Sequence, residues 1–316
     1  MNIAVLGAGN IAGVVSKTLS KMPEVTCYAV ASRSLDKAQA FAGEHGFLKA
    51  YGSYEEMLSD EKVELVYVAT PHSHHFEHMK LCIEHGKPVL CEKSFTFDAA
   101  QAREIARLSK EKGVYVSEAI WPRYMPSRKL IDDALSSGII GDIKYMTANL
   151  SYVISGVERI QKPELAGGAL LDVGVYGVNF MLMHFGDNIE RIESSVQKTE
   201  TGVDGAETVT VFYRDGRMAV LTHSIYVRSD RKGIFAGNKG YMVVENINNP
   251  SEINIFDTED RLIKHIDVPK QISGYEYEFL ESMDCISKGL TESNSIKLSE
   301  SVKMMEIMDE IRKGWQ

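Results

Sequence analysis

The chain has 316 residues, 44% hydrophobic and 25% charged, with 25 glycines and 8 prolines, a globular composition that excludes collagen-like, disordered and low-complexity classes. Its 35 Lys and Arg against 44 Asp and Glu leave a formal charge of −9, which disfavours nucleic acid as a partner because such binding rests on neutralised phosphates. The length is that of about two domains. The opening MNIAVLGAGN lacks a basic region and a small-residue cleavage site, so it does not read as a signal peptide. The apolar stretches are read as too short for the roughly 18 residues of a membrane helix. Cys27, Cys82, Cys91 and Cys285 are scattered without a CxxC pair, so reduced thiols, no metal, no membrane and a cytoplasmic setting are expected.

In chain order, short apolar runs at 3–6, 25–31, 63–69, 88–91 and 114–117 alternate with amphipathic stretches at 35–45, 76–84 and 99–112. This alternation predicts a parallel sheet with helices on both faces, and its near-continuous apolar runs fit strands covered twice. After Glu118 the pattern changes. A helical stretch at 126–136 leads into strand-like segments at 145–154, 190–196, 208–213, 217–226, 240–246 and 252–256, with a hairpin signal at Asp215-Gly216. Two helical stretches, 275–287 and 299–312, close the chain. The expected fold class is α/β: a doubly wound Rossmann domain over 1–120, then an α+β domain over 121–316 with a large, open, mostly antiparallel sheet. The C-terminal helix is a candidate to pack back on the first domain.

Gly7-Ala8-Gly9-Asn10-Ile11-Ala12 follows the first strand and opens a helix. The first glycine permits the tight turn, the second lets backbone approach a pyrophosphate, and Ala12 fills the small third position where helix meets strand. The helix N-terminus adds N–H donors and partial positive charge. At the end of the second strand an NAD-preferring site carries Asp or Glu for the ribose 2′-hydroxyl. Here Ser32 and Arg33 stand there, with Lys37 one turn on. A hydroxyl and two cations suit a 2′-phosphate, so NADP(H) is preferred over NAD(H).

Ala69-Thr70-Pro71-His72 and Glu92-Lys93-Ser94 resemble the ATPN and EKP motifs of the Gfo/Idh/MocA oxidoreductases. Gly167-Gly168-Ala169-Leu170-Leu171-Asp172-Val173-Gly174-Val175-Tyr176 resembles that family's GGGxxxDxGxH segment. With Glu118-Ala119-Ile120-Trp121-Pro122-Arg123, the pattern is similar to the branch holding dimeric dihydrodiol dehydrogenase and NADP-dependent D-xylose dehydrogenase. Ser94 departs from the usual proline, which loosens the case for a fixed turn after Lys93. Tyr176 stands where many members have histidine; in the resembling branch that position is an acid/base tyrosine.

The resemblance implies Lys93, Tyr176 and Asp172 as the catalytic set. It implies Ala69, Thr70, Pro71, His72, His75, Glu92, Lys93 and Glu118 as cofactor-binding, and Trp121, Arg123 and Arg159 as candidates for the substrate pocket, with a surface role the other reading of Arg159. The chemistry agrees. Hydride exchange with a carbonyl needs a proton partner supplied by the protein. A tyrosine ionises only near pH 10, and an ammonium such as Lys93 favours its phenolate. Asp172, four residues before Tyr176 on a predicted helix, shares its face and is placed to anchor a substrate hydroxyl or pair with Lys93. Without the resemblance, Tyr176 also reads as a core aromatic and Asp172 as a helix N-terminal charge. His72, His74, His75 and His78 invite a metal reading, but no acidic or Cys partner completes a set, and they are expected to line the cofactor groove or cap the next helix.

The activity expected is hydride transfer between NADP(H) and a polyol-like substrate, an aldose at C1 or a trans-dihydrodiol. The alternatives are an inositol or nucleotide-sugar dehydrogenase, or a non-catalytic dinucleotide sensor. One helix layer half-covers the second sheet, so a homodimer through its open face is expected.

Overall fold

In the computed structural model, which describes residues 1–315, the first alternation becomes β1 (Asn2–Leu6), α1 (Asn10–Leu19), β2 (Thr26–Ala31), α2 (Leu35–His45), β3 (Lys49–Tyr51), α3 (Tyr54–Leu58), β4 (Leu65–Val68), α4 (His75–Glu84), β5 (Val89–Glu92), α5 (Ala99–Lys112) and β6 (Val116–Ala119). The strands form a parallel sheet in the order β3-β2-β1-β4-β5-β6. The order reverses between β1 and β4, the crevice where open α/β sheets bind ligands at their strands' C-terminal ends. Leu65, Val66, Tyr67 and Val68 are all fully buried, as a strand covered on both faces requires.

The chain continues through α6 (Pro126–Ser136), β7 (Ile143–Ser151), α7 (Val175–Phe185), β8 (Ile189–Lys198), β9 (Asp204–Tyr213), β10 (Met218–Ser224), β11 (Gly233–Gly237), β12 (Gly240–Val244), β13 (Glu252–Asp257) and β14 (Leu262–Asp267), then α8 (Glu276–Ser287) and α9 (Leu298–Lys313). The second sheet runs β14-β13-β12-β11-β7-β10-β9-β8. Its pairs are antiparallel except β7 with β10. Alternate residues Met146, Ala148 and Leu150 of β7 and Ala219 and Leu221 of β10 are buried, the period-2 pattern of a sheet covered on one face. α7 is the cover: Phe180 packs its ring 5.3 Å from that of Phe235 on β11.

Two compact units result, Met1–Trp121 with Gln271–Met305, and Pro122–Lys270 with the chain from Glu306 onward. The segment 271–305 lies with the first unit, where the expectation is a second domain over 121–316 with only its C-terminal helix as a candidate to pack back. Phe279 on α8 is fully buried among Ile3, Val5 and Leu90, its ring 5.4 Å from Tyr67.

Three strands escaped the periodicity for identifiable reasons. β3 has three residues, β11 reads GIFAG with a glycine at each end, and β14 is an edge strand exposed along most of its length. One apolar segment is also longer than expected. Pro163–Phe185 spans 23 residues whose most apolar window has mean hydropathy 1.5, long and apolar enough to cross a membrane by composition, yet 89% of that window is buried within the protein. A helix apolar all round is what a sheet's inner cover requires.

Candidate functional site

The first unit builds a cradle at its topological switch. Gly7 has φ +106°, and a Cβ there would stand 2.9 Å from Ala69 O and 3.0 Å from Thr70 Cγ2, so only glycine lets the β1 turn nest against the end of β4. Gly7 N donates to Ala31 O at 2.9 Å, drawing in the end of β2. Gly9 caps α1 without a side-chain acceptor, which leaves the first-turn N–H groups, those of Asn10, Ile11 and Ala12 among them, for an anionic ligand. Ala12 is fully buried against Ile3 and Val5. At the end of β2, Ser32 is buried and donates its N–H to Tyr51 O at 3.2 Å. Ser34 Oγ caps α2 by accepting from Lys37 N at 3.4 Å. The side chains of Arg33 and Lys37 are exposed.

The histidines hold loops rather than converge. His75, fully buried, sets Nδ1 2.7 Å from Ser94 O and Nε2 2.8 Å from Thr70 O, tying the loop after β4 to the loop after β5. Burial pushes its imidazole down to about 4. His78 Nδ1 lies 2.9 Å from Thr70 Oγ1. Burial first, then the charges of His74, His75 and Arg33, push it down to about 4. Its ring meets Tyr54 edge-on at 4.8 Å. His72 is buried with its ring 5.6 Å from His75, in a 3-10 turn after Pro71. Among the described residues no three His, Cys, Asp or Glu gather as metal ligands.

Lys93 emerges from a gripped loop. Tyr67 OH donates to Glu92 Oε1, and Lys93 N donates to Glu92 Oε2 at 3.2 Å. The Lys93–Ser94 bond is cis, Ser94 O faces His75, and Phe95 N donates to Glu118 Oε1 at 3.1 Å. The hydrogen bonds at Ser94 O and Phe95 N hold the turn although a serine stands in place of the usual proline. Glu92 and Glu118, both buried, brace the loop from within. Trp121 is 7% exposed and stacks on Tyr275, centroids 4.3 Å apart at 9°. Tyr275 was not singled out from the sequence, where it is simply the aromatic that opens the helical stretch 275–287. Its placement depends on Glu276, whose carboxylate accepts N–H bonds from Ile272, Ser273 and Gly274 at 2.6, 3.1 and 2.7 Å. A 2.8 Å contact of Ser273 Oγ with Thr18 Oγ1 on α1 completes the tether.

In the second unit the expected straight helix begins as a π-helical turn, Leu170–Gly174, that passes into α7 at Val175. Tyr176 is the second residue of α7 and 8% exposed. Asp172, in the π turn, is 7% exposed and receives Arg159 Nη2 at 2.7 Å. Two residues proposed separately thus form one ion pair, with Arg159 the more open partner. Arg123 differs from a pocket residue: it is 2% exposed and its Nε donates to Asn179 Oδ1 on α7 at 2.6 Å. That bond satisfies the amide oxygen of the buried Asn179.

Residues 1–120 match the oxidoreductase family described by an NAD-binding Rossmann fold, and residues 129–243 match the Gfo/Idh/MocA C-terminal domain. The trans-1,2-dihydrobenzene-1,2-diol dehydrogenase of Homo sapiens is 36% identical over 98% of this chain and 95% of its own length. That of Mus musculus is 34% identical over the same shares. The 3-ketoreductase KijD10 of Actinomadura kijaniata, solved with NADP and TDP-benzene, superposes at TM-score 0.90 with 23% identity, covering 100% of this chain and 98% of its own. A levoglucosan dehydrogenase superposes at 0.89 with 15% identity, covering 99% and 96%.

Proposed function

The chain belongs to the Gfo/Idh/MocA family of NAD(P)-dependent oxidoreductases acting on CH–OH groups, and on that premise we propose that it is an NADP(H)-dependent dehydrogenase of a trans-dihydrodiol or of an aldose at C1. The observation that carries the cofactor reading is the pair Ser32 and Arg33 at the end of β2, an exposed guanidinium where an acidic residue would hold a plain ribose. The cradle that a Cβ on Gly7 would fill, and the uncapped N-terminus of α1, fit a pyrophosphate. Similarity over nearly the whole chain to diol dehydrogenases supports the substrate class.

When bound, the nicotinamide supplies or accepts the hydride. In oxidation Tyr176 Oη takes the proton of the reacting hydroxyl, and in reduction it returns that proton. By the family resemblance Lys93 is the ammonium assigned to favour the phenolate. Asp172 accepts from a second substrate hydroxyl, with Arg159 fixing the carboxylate's direction. Trp121, backed by Tyr275, offers a flat apolar face, and His75, Glu92 and Glu118 hold the loop that carries Lys93. The test is Tyr176→Phe and Lys93→Met: turnover of NADP+ with dihydrodiols and aldoses falls to background while NADPH binding stays within about threefold, since residues acting in the transition state lower kcat rather than affinity. Activity kept by both variants refutes the assignment.

The same reading includes a homodimer through the outer face of the second sheet, away from α7. That face holds a groove of about 600 Å³ bordered by Asn149, Ser195, Gln197, Thr208 and Thr222, and Tyr145 is 36% exposed. Light scattering is expected to return twice the chain mass, and the mass of one chain at micromolar concentration refutes it. All four cysteines are free thiols; a cytoplasmic setting is part of the same proposal.

A further inference from the structure

The glycines around Tyr176 are matched, one for one, to polar side chains of the neighbouring strands. A Cβ on Gly168 would stand 2.2 Å from Asp204 Oδ1, one on Gly174 2.5 Å from Glu207 Oε1, and one on Gly177 2.1 Å from His223 Nε2. Asp204 and Glu207 belong to β9, and His223 lies directly opposite Glu207 on β10. Asp204 Oδ2 accepts from Leu170 N at 2.5 Å, which fixes the start of the π turn. Glu207 Oε1 and His223 Nδ1 are 2.9 Å apart and both side chains are wholly buried.

This pair is an expensive way to fill space. Glu207 Oε2 and His223 Nε2 have no hydrogen-bond partner among the described residues. Burial drives both toward neutrality, holding Glu207 up at about 8 and His223 down at about 3. The charged groups facing them are Arg312, which acts on Glu207, and Asp204, which acts on His223. Two apolar side chains of the same volume would leave nothing unsatisfied, so stability does not account for the choice. Location does. Glu207 touches Gly174, where the π turn gives way to α7, and His223 touches Gly177, one residue past Tyr176. The pair therefore underlies both ends of the turn that carries the hydroxyl.

We infer that Glu207 and His223 are positioning residues for Tyr176, seating the turn 174–177 directly on β9 and β10 and so setting the direction of the Tyr176 hydroxyl relative to Asp172. This rests on the reading that Tyr176 exchanges the proton. The absence of Cβ atoms at 174 and 177 is what lets backbone meet imidazole and carboxyl without an intervening side chain. Slack of about 1 Å at such a seat is enough to lower kcat on the order of 10- to 100-fold.

The experiment measures kcat, KM, the pH–rate profile and NADPH binding for Glu207→Gln, His223→Ala, His223→Asn, Gly177→Ala and the double variant Gly177→Ala with His223→Ala. His223→Ala and Gly177→Ala each lower kcat about 10-fold or more while NADPH binding stays within about twofold, because the seat and not the cofactor cradle is disturbed. The pH–rate profile shifts relative to that of the parent protein. His223→Asn, which keeps a polar group on Glu207, recovers part of kcat. In the double variant the new methyl enters the space the imidazole leaves, so its kcat is no lower than that of His223→Ala alone, a coupling that contact demands. Folded His223→Ala and Gly177→Ala proteins with parental kcat and pH profile overturn the inference. If His223→Ala does not fold, Gly177→Ala or Gly174→Ala, each of which presses a methyl against the pair, decides by the same readouts. Turnover surviving in Tyr176→Phe overturns instead the reading beneath, so the two failures are told apart.

Discussion

Replacing Arg33 by alanine separates cofactor choice from cofactor binding. The guanidinium is exposed at the end of β2, close enough to Tyr54 and His78 for its charge to act on both, and it precedes α2, whose N-terminus also favours an anion. A hydrogen bond to a charged group contributes about 1.5–3 kcal/mol. Because Arg33 is open to water and screened by salt, the lower end of that range applies. At about 1.4 kcal/mol per decade, NADP(H) affinity falls about 10-fold. The pyrophosphate contacts at Gly7 to Ala12 and the nicotinamide end are untouched, so NAD(H) affinity stays within about twofold. Lys37→Ala, a more mobile point charge, adds about a further twofold loss for NADP(H) only. Fluorescence titration of both reduced cofactors at two ionic strengths is the assay, and the NADPH effect shrinks at higher salt. Equal losses for the two cofactors refute the argument that Arg33 reads a 2′-phosphate.

The Arg159–Asp172 pair, 2.7 Å apart with Arg159 42% exposed and Asp172 9%, is expected to show a coupling of about 1 kcal/mol in a double-mutant cycle of Arg159→Ala and Asp172→Asn read by thermal unfolding, more than a surface pair and less than a buried one. A coupling indistinguishable from zero removes Arg159 as the residue that orients Asp172. Asp60 at the far edge of the first sheet accepts from Lys49 Nζ at 2.6 Å, Tyr51 OH at 2.6 Å, Tyr28 OH at 2.9 Å and Lys62 N at 3.0 Å. These donors, Lys49 first, hold its carboxyl well below the usual range. A depressed carboxyl stabilises the fold above the unfolded value, about 3.9, and loses that contribution as pH falls below it. Asp60→Asn therefore lowers Tm at pH 7 and its deficit narrows toward pH 3; a deficit constant with pH refutes the assignment.

The particulars of the site divide cleanly between what is local in sequence and what is not. Gly7, Gly9 and Ala12 are legible because the turn, the cap and the helix packing they serve fall within six consecutive residues. Arg33 is legible because it sits at a fixed distance along the same unit. Lys93, Asp172 and Tyr176 stand out through motifs. Their surroundings do not: His75 reaches Ser94 across 19 residues and Arg159 reaches Asp172 across 13, and nothing in either stretch names its partner. Arg123 reads as an available cation until Asn179, 56 residues away, is seen to hold it. Asp172 and Tyr176 follow an α-helical spacing in sequence, whereas in the fold Asp172 lies in a π turn that ends at Gly174, two residues before Tyr176.

The sequence by itself determined the layered first unit, the glycine cradle, the charge at the end of β2 and the presence of a half-covered second sheet. Each follows from period, propensity or charge within a short stretch. Only the tertiary structure decided that β7 runs parallel to β10 within an otherwise antiparallel sheet, that α8 lies with the first unit, and that Glu207 and His223 meet beneath Tyr176. The physical reason is that a side-chain period states which face of an element is buried, whereas the partner buried against it is chosen by three-dimensional packing among residues far apart along the chain.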